Sequence, residues 1–403
     1  MDWQYPDAGK GAKETQMNDV NREQTQRAKN AILGAFVADA ATMGMHWLYS
    51  QRRIIELAPE HPEFREPDEQ DFVGNVGYFA HAGKTVGEFS QYGEQAWVML
   101  NSMTMNNGHY EKHHYQDVFR DHFGYGGQFR GYIDRPTRET LDTIYRSEYD
   151  ALEKAGRIPF DGDRKQKPAI LIKMLAAAKQ YRGERLKQQA EVISAAFEDS
   201  GACLSYALSL IDALQGTDDF PGAKDEQLPA ISKLPVLIAR YSTAPDLHER
   251  AISAVKVTNN TARALDYGMI CTTVLSSLVN GYSITSAINS GLQTAHDESR
   301  DQLSTALSRN CGISELTKEF GLHCDLGSGM SSILFNLKSS VGYAESIRSN
   351  IFAGGDNCGR SIMLGAALGA VYGVGGDKGI PDAWVTKVHG HEKLKRNIDG
   401  LFT

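Results

Sequence analysis

The stretch IFAGGDNCGRSIMLGAALGAVYG (351–373) decides the reading of this chain. Gly354 and Gly355 break the preceding element. Asp356 or Asn357 then stands where a new helix begins, a position at which a short polar side chain caps free backbone N–H groups. Gly365, Gly369 and Gly373 recur every fourth residue. Glycine costs about 1 kcal/mol relative to alanine inside a helix, so close packing against another helix is expected to offset the repeat. The segment also places a carboxylate, an amide, a thiol and a guanidinium (Asp356, Asn357, Cys358, Arg360) at a helix N-terminus. Such a terminus favours anions and can lower a thiol pKa. The two glycines would let a ligand approach the backbone N–H groups.

A second face of small residues lies near the start. In NAILGAFVADAATMGMHW (30–47), Ile32, Leu33, Phe36 and Val37 form an apolar stripe at helical spacing, with Gly34, Ala38 and Ala41 on a neighbouring face. The helical pattern begins at Asp19, capped by Asp19 or Asn18, which leaves residues 1–18 as a polar arm. Asp39 and His46 are seven residues apart, which on a continuous helix puts them on one face. A third segment, GEFSQYGEQAW (87–97), opens a helix with Tyr92 and Glu94.

The rest of the chain supports one helical domain over 19–390, followed by a tail at 391–403. Residues 50–90 read as a long loop with short turns. Helices are expected near 94–105, 115–123, 137–155, 167–181, 186–197, 201–214, 227–240, 245–258, 260–280, 283–296 and 298–309. The apolar run LPVLIARY (234–241) is ambiguous by periodicity alone. The aromatic-rich stretch 107–135 reads as core more than as a cover for a site.

Composition narrows the function. With 42 basic against 50 acidic residues the net charge is −8, a poor match for nucleic acid, whose binding relies on Lys and Arg neutralising phosphates. No apolar run reaches the length that spans a bilayer. Five widely spaced cysteines without a C-x-x-C fit neither a disulfide framework nor a zinc site, and point to a reducing, cytoplasmic setting. A small-molecule partner is expected, and a homo-oligomer is compatible with the sequence.

Taken singly, the candidate residues have plain structural readings. Asp39 is a buried carboxylate satisfied by backbone donors, His46 a structural histidine beside Trp47, Glu94 a solvated first-turn acid, Asp356 an N-cap and Cys358 an inert core thiol. Taken together and in order, GAFVADAATMGMHW and AGGDNCGRSIMLGAALGAVYG resemble the ADP-ribosylglycohydrolase family, and within it the branch of the J-type crystallins. IPDAW (380–384) is similar to the family's closing segment. The resemblance implies an all-α, orthogonally packed fold. It also implies a site, where the motifs meet, that holds two magnesium ions and cleaves an N- or O-linked ADP-ribose.

The chain departs from the family pattern where that metal pair would sit. The T-D-D-T motif corresponds to Gln91-Tyr92-Gly93-Glu94, with both aspartates missing. In the G-G-D-T-D-T motif Asp356 matches, while Asn357, Cys358 and Gly359 replace the residues that follow. Asp39 matches the first motif, and His46 replaces its usual glutamate. Two divalent ions need several hard oxygen ligands. Asp356 is the principal metal candidate left, and His46, Cys358 and Asp356 form a softer set for zinc. The expectation is a degenerate di-metal site reused by a hydrolase or lyase acting, without metal, on a small molecule or an N-glycosidic-type bond. In that reading Cys358 is a thiolate nucleophile, and Asp356, Glu94, His46 and Tyr92 are acid–base groups. Asp39, Asn357, Arg360, Gly354 and Gly355 bind the substrate. The alternative is a non-catalytic, crystallin-like structural protein or a ligand-binding pseudoenzyme. A pocket of convergent polar groups favours chemistry or binding; a filled closure favours structure.

Overall fold

The computed structural model describes residues 8–124, 127, 129–154 and 221–403. Regular structure among them is helical: α1 Ala8–Thr42, α2 Gln51–Leu57, α3 Gln91–Met105, α4 Lys112–Phe123, α5 Arg135–Lys154, α6 Pro229–Ser232, α7 Leu234–Tyr241, α8 Leu247–Thr258, α9 Ala262–Val279, α10 Ile284–Thr294, α11 Asp297–Leu307, α12 Ile313–Phe320, α13 Leu326–Lys338, α14 Tyr343–Phe352, α15 Asn357–Tyr372, α16 Asp382–Lys387 and α17 His391–Gly400. Strand-like pairing in the described residues is limited to isolated bridges, such as those of Leu48 with Gly77 and Gly355. No described helix is long and apolar enough to cross a membrane.

The centre of the fold is the pair α1 and α15, and the small residues explain why. A Cβ built on Gly365 would stand 2.4 Å from both the Ala38 Cβ and the Gly34 carbonyl oxygen. The two backbones are therefore as close as glycine permits. Every residue of α15 from Asn357 to Ala370 is buried, as expected of a helix with no solvent face. On α1, Ala31, Ile32, Ala35, Phe36 and Val37 are fully buried. Helices α3, α7, α9, α13 and α14 pack around this pair.

Several boundaries differ from the sequence reading. Helix α1 runs from Ala8, so helix extends into the segment read as an arm. The 391–403 tail is largely α17, which buries Leu394, Ile398 and Leu401 against the core. The run at 234–241 is α7, with Pro235 in its first turn, where the missing N–H costs nothing. In the aromatic stretch Tyr110, Tyr115, Phe119 and Phe123 are buried, as expected of core. The helices expected near 167–181, 186–197 and 201–214 lie outside the described residues.

Candidate functional site

Three chain segments meet at one buried point. Helix α1 ends at Thr42 and passes into a single 3-10 turn, Met43–Met45, before His46. The α-helix therefore ends before His46, so the seven-residue spacing is not carried on one continuous helix as expected. The next residues are tied to the entry of α15: the Trp47 N–H donates to the Gly355 carbonyl at 2.9 Å, and the Gly355 N–H donates to the Leu48 carbonyl at 2.9 Å. Gly355 has φ +67, and a Cβ there would stand 2.1 Å from the Leu322 carbonyl oxygen. Glycine is required for both reasons. Ser90 caps α3 by accepting from the Tyr92 N–H, and Asp356 caps α15 by accepting from the Gly359 N–H.

His46, Tyr92 and Asp356 come together as expected. His46 Nε2 lies 2.9 Å from Asp356 Oδ1, and the Tyr92 hydroxyl donates to Asp356 Oδ2 at 2.5 Å. The Gly359 N–H adds a third bond, to Oδ1 at 3.0 Å. Burial pushes the Asp356 carboxyl up. The hydrogen bond and charge of His46, with help from Tyr92 and Arg360, more than offset this and hold it below the usual carboxylate range. Burial and the Asp356 charge push the Tyr92 phenol well up, so it remains a neutral donor. The other nitrogen of His46, Nδ1, lies 2.7 Å from His81 Nε2. Burial, then His46 and Lys84, push His81 well down, which keeps its ring neutral. The result is a linear chain, His81–His46–Asp356–Tyr92, with all four side chains buried.

The other candidates fall outside that chain. Cys358 is fully buried on the α1 side, 3.2 Å from Thr42 Oγ1. Burial, with the Asp39 charge, pushes its thiol well up. Desolvation at this position opposes the thiolate that a helix N-terminus favours. Glu94 faces Lys84 and His122, at 3.2 and 2.8 Å, on a partly exposed side of α3. Asp39 accepts from the Ser90 N–H at 2.8 Å and the Ser90 hydroxyl at 2.5 Å, tying α1 to the cap of α3. The residues read as substrate-binding are likewise buried, and Asn357 Oδ1 among their polar atoms has no partner among the described residues. Arg360 donates to Asn350 Oδ1 at 2.8 Å and to the Gly354 carbonyl at 2.5 Å, and Asn357 donates to the Met45 carbonyl at 3.1 Å.

The sequence reading missed His81, a lone histidine in an aperiodic loop, where no local pattern marks a tertiary contact. It also missed a polar cluster beside Tyr92. Lys233, fully buried at the start of α7, donates to the Thr258 hydroxyl; Thr258 donates to Asn259 Oδ1 at 2.8 Å; Asn259 donates to Asp225 Oδ1 at 3.1 Å. Burial pushes the Lys233 ammonium down to about 7 and the Asp225 carboxyl up to about 6. Asp134 is buried nearby, accepting from the Thr137 N–H at 2.9 Å and from Gln95 at 3.1 Å.

The residues present do not fit the magnesium pair that the resemblance implies. A carboxylate offers about four lone-pair sites, and three on Asp356 are taken by protein donors. Both ring nitrogens of His46 are engaged. The second aspartate position is a buried cysteine whose thiol burial pushes well up, and both Asp39 oxygens are held by Ser90. Among the described residues no group of three or more His, Cys, Asp or Glu is placed to hold an ion.

Comparison with known proteins places this geometry in context. Residues 20–403 match the ADP-ribosylglycohydrolase family. The chain is 24% identical to Crystallin J1A of Tripedalia cystophora over 369 residues, covering 90% of this chain and 91% of the relative. It is 24% identical to Crystallin J1B of the same organism over 384 residues, covering 92% and 94%. Among solved structures it is similar to an "ADP-ribosylglycohydrolase-related protein complex", with a TM-score of 0.56 and 15% identity, over 94% of this chain and 98% of the other. That last likeness is one of fold. The chain belongs to the ADP-ribosylglycohydrolase family.

Proposed function

We propose that this chain is a metal-independent, non-hydrolytic member of its family, in which the cleft that would hold a metal pair has become a buried hydrogen-bonded closure that stabilises the fold. The observation that carries this reading is the saturation of Asp356: His46, Tyr92 and the Gly359 N–H occupy its oxygens, in a site without solvent exposure. The four groups of the chain are satisfied by one another, as buried polar groups usually are, and the network joins the segment after α1 to α3 and α15. The likeness over most of the chain to two crystallins supports a structural role.

A second reading, a metal-free hydrolase or lyase acting on a small molecule, draws on the same chain of groups. His81, His46, Asp356 and Tyr92 are linked by short hydrogen bonds, an arrangement that can pass a proton. A catalytic group must lie within hydrogen-bond reach of the reacting atom, however, and here each group is turned to its neighbour. Assaying ADP-ribose release from an ADP-ribosylated arginine or serine peptide, with and without magnesium, tests the loss of hydrolysis. No release above buffer is expected. Magnesium-dependent release would overturn the proposal in favour of the family's metal chemistry, and magnesium-independent release in favour of the second reading.

A further inference from the structure

We propose that the exposed face of α17 and the acidic loop at residues 60–71 form one self-complementary surface, on which a second copy of this chain docks about a two-fold axis. The surface is separate from the buried network, and the inference is independent of the proposed function.

The basic half is built by α16 and α17. Helix α17 buries Leu394 and Ile398, while Lys393, Lys395 and Arg396 are exposed, as is Lys387 at the end of α16. The acids of α17 are directed elsewhere: Glu392 to His391 at 3.3 Å and Asp399 to Lys29 at 2.7 Å. The four cations are therefore left without an ion pair among the described residues, in a chain whose net charge is −8. Two of them are held in place, the Lys387 and Lys393 ammonium groups each lying 5.2 Å from a ring centre, of Phe64 and Trp97 respectively. Cations already ordered lose less freedom on binding.

The acidic half lies beside it. Residues 60–71 hold six acidic side chains and one arginine. Asp71 takes that arginine, Arg65, at 2.7 and 2.9 Å, and Glu63 takes Arg348 at 2.7 and 3.0 Å. Glu60, Glu66, Asp68 and Glu69 remain, all exposed and without an ion pair among the described residues. The two halves adjoin along one strip. The Val86 N–H donates to Glu66 Oε2 at 3.1 Å, the His389 N–H donates to the Gly87 carbonyl at 2.8 Å, and the Phe64 and Trp384 rings have centroids 5.6 Å apart. Val73, 66% exposed, follows the acidic turn and offers an apolar contact.

These neighbouring charges of opposite sign are not paired with one another within one copy. A two-fold axis between the halves sets the acidic half of each copy against the basic half of the other, so both contacts form at once, as an isologous interface requires. Complementary charge of this kind steers association and fixes its register. An acidic polymer would meet the repelling loop as well as the basic face, whereas a second copy answers both.

Sedimentation velocity on the full chain, at about 0.1 M and about 1 M salt, tests this, because the screening length falls between the two from about 10 Å to about 3 Å. A dimer is expected at low salt, with its dissociation constant raised roughly tenfold or more at high salt. Two double variants follow the symmetry. Lys395→Glu with Arg396→Glu makes both halves acidic, and Glu66→Lys with Glu69→Lys makes both halves basic. Each is expected to sediment as a monomer at low salt, and the two mixed together as a dimer, since each then offers the charge that the other lacks. All four positions are exposed, which keeps the variants compatible with folding, and thermal melting checks that. A wild-type monomer at low salt, a dimer indifferent to salt, a double variant that still self-associates, or two folded variants that fail to pair on mixing overturns the proposal.

Discussion

Replacing Tyr92 by phenylalanine removes one oxygen from a fully packed position. The hydroxyl donates to Asp356 Oδ2 at 2.5 Å, and both side chains are buried. Hydrogen bonds to charged groups contribute about 1.5–3 kcal/mol, and a stranded buried acceptor adds its own desolvation penalty. A loss of about 3 kcal/mol is expected. Unfolding entropy is near 2.1 cal/mol/K per residue, or roughly 0.8 kcal/mol/K for a chain of this length, so Tm should fall by about 4 °C. The pH dependence follows from the direction of the Asp356 shift. Its folded-state carboxyl lies below the usual range, so its contribution is present above pH about 4 and is lost as pH falls through the folded value. Once the carboxyl is protonated the hydroxyl no longer serves a charge. The gap between wild type and Tyr92→Phe should therefore narrow below pH about 4. Urea denaturation across pH measures this. A variant within about 0.5 kcal/mol of wild type, or more stable than it, would overturn this role for Tyr92. A gain in stability is what removal of a strained catalytic group would give.

Gly365→Ala should destabilise by at least about 2 kcal/mol despite alanine's better helix propensity, because its Cβ would stand 2.4 Å from the backbone oxygen of Gly34; a shift in the urea midpoint reads this. In native protein Cys358 and Cys271, both buried, should resist iodoacetamide while the partly exposed Cys311 reacts, as peptide mass spectrometry will show; Cys324, whose thiol burial and the Asp356 charge push up to about 12, should label more slowly than Cys311; rapid labelling of Cys358 would restore the thiolate reading. Burial pushes Asp39 up to about 7. Its contribution is therefore full below its unfolded value near 4 and is lost as pH rises towards 7, about 4 kcal/mol in all. Asp39→Asn should flatten the stability profile over that interval, and an unchanged profile would contradict the assignment.

How far the sequence could be read depended on whether the signal was local. The glycine repeat in α15 was legible because a costly four-residue spacing in an apolar helix has few explanations other than close packing. The meeting of His46, Tyr92 and Asp356 was implied by the family resemblance of the three motifs. His81 was not legible, because its contact with His46 is a tertiary event between an aperiodic loop and the end of α1. Lys233 was hidden for a similar reason, since nothing in LPAISKLPV marks its ammonium as buried. The Cys358 reading weighed the helix N-terminus and could not weigh desolvation, which only the packed structure supplies. Asp39 and His46 were assigned to one helix face because the 3-10 turn after Thr42 leaves no mark in TMGMH.

The central claim is that protein donors have taken the place of metal, and magnesium content tests it most directly. Protein purified from magnesium-containing buffer, then desalted, is measured by elemental analysis, with Tm recorded in excess magnesium and in excess EDTA. No stoichiometric magnesium and the same Tm in both conditions are expected, since among the described residues no ligand set is placed to hold the ion. About two magnesium ions per chain, with a Tm that drops in EDTA, would contradict it and return the site to the family's metal chemistry.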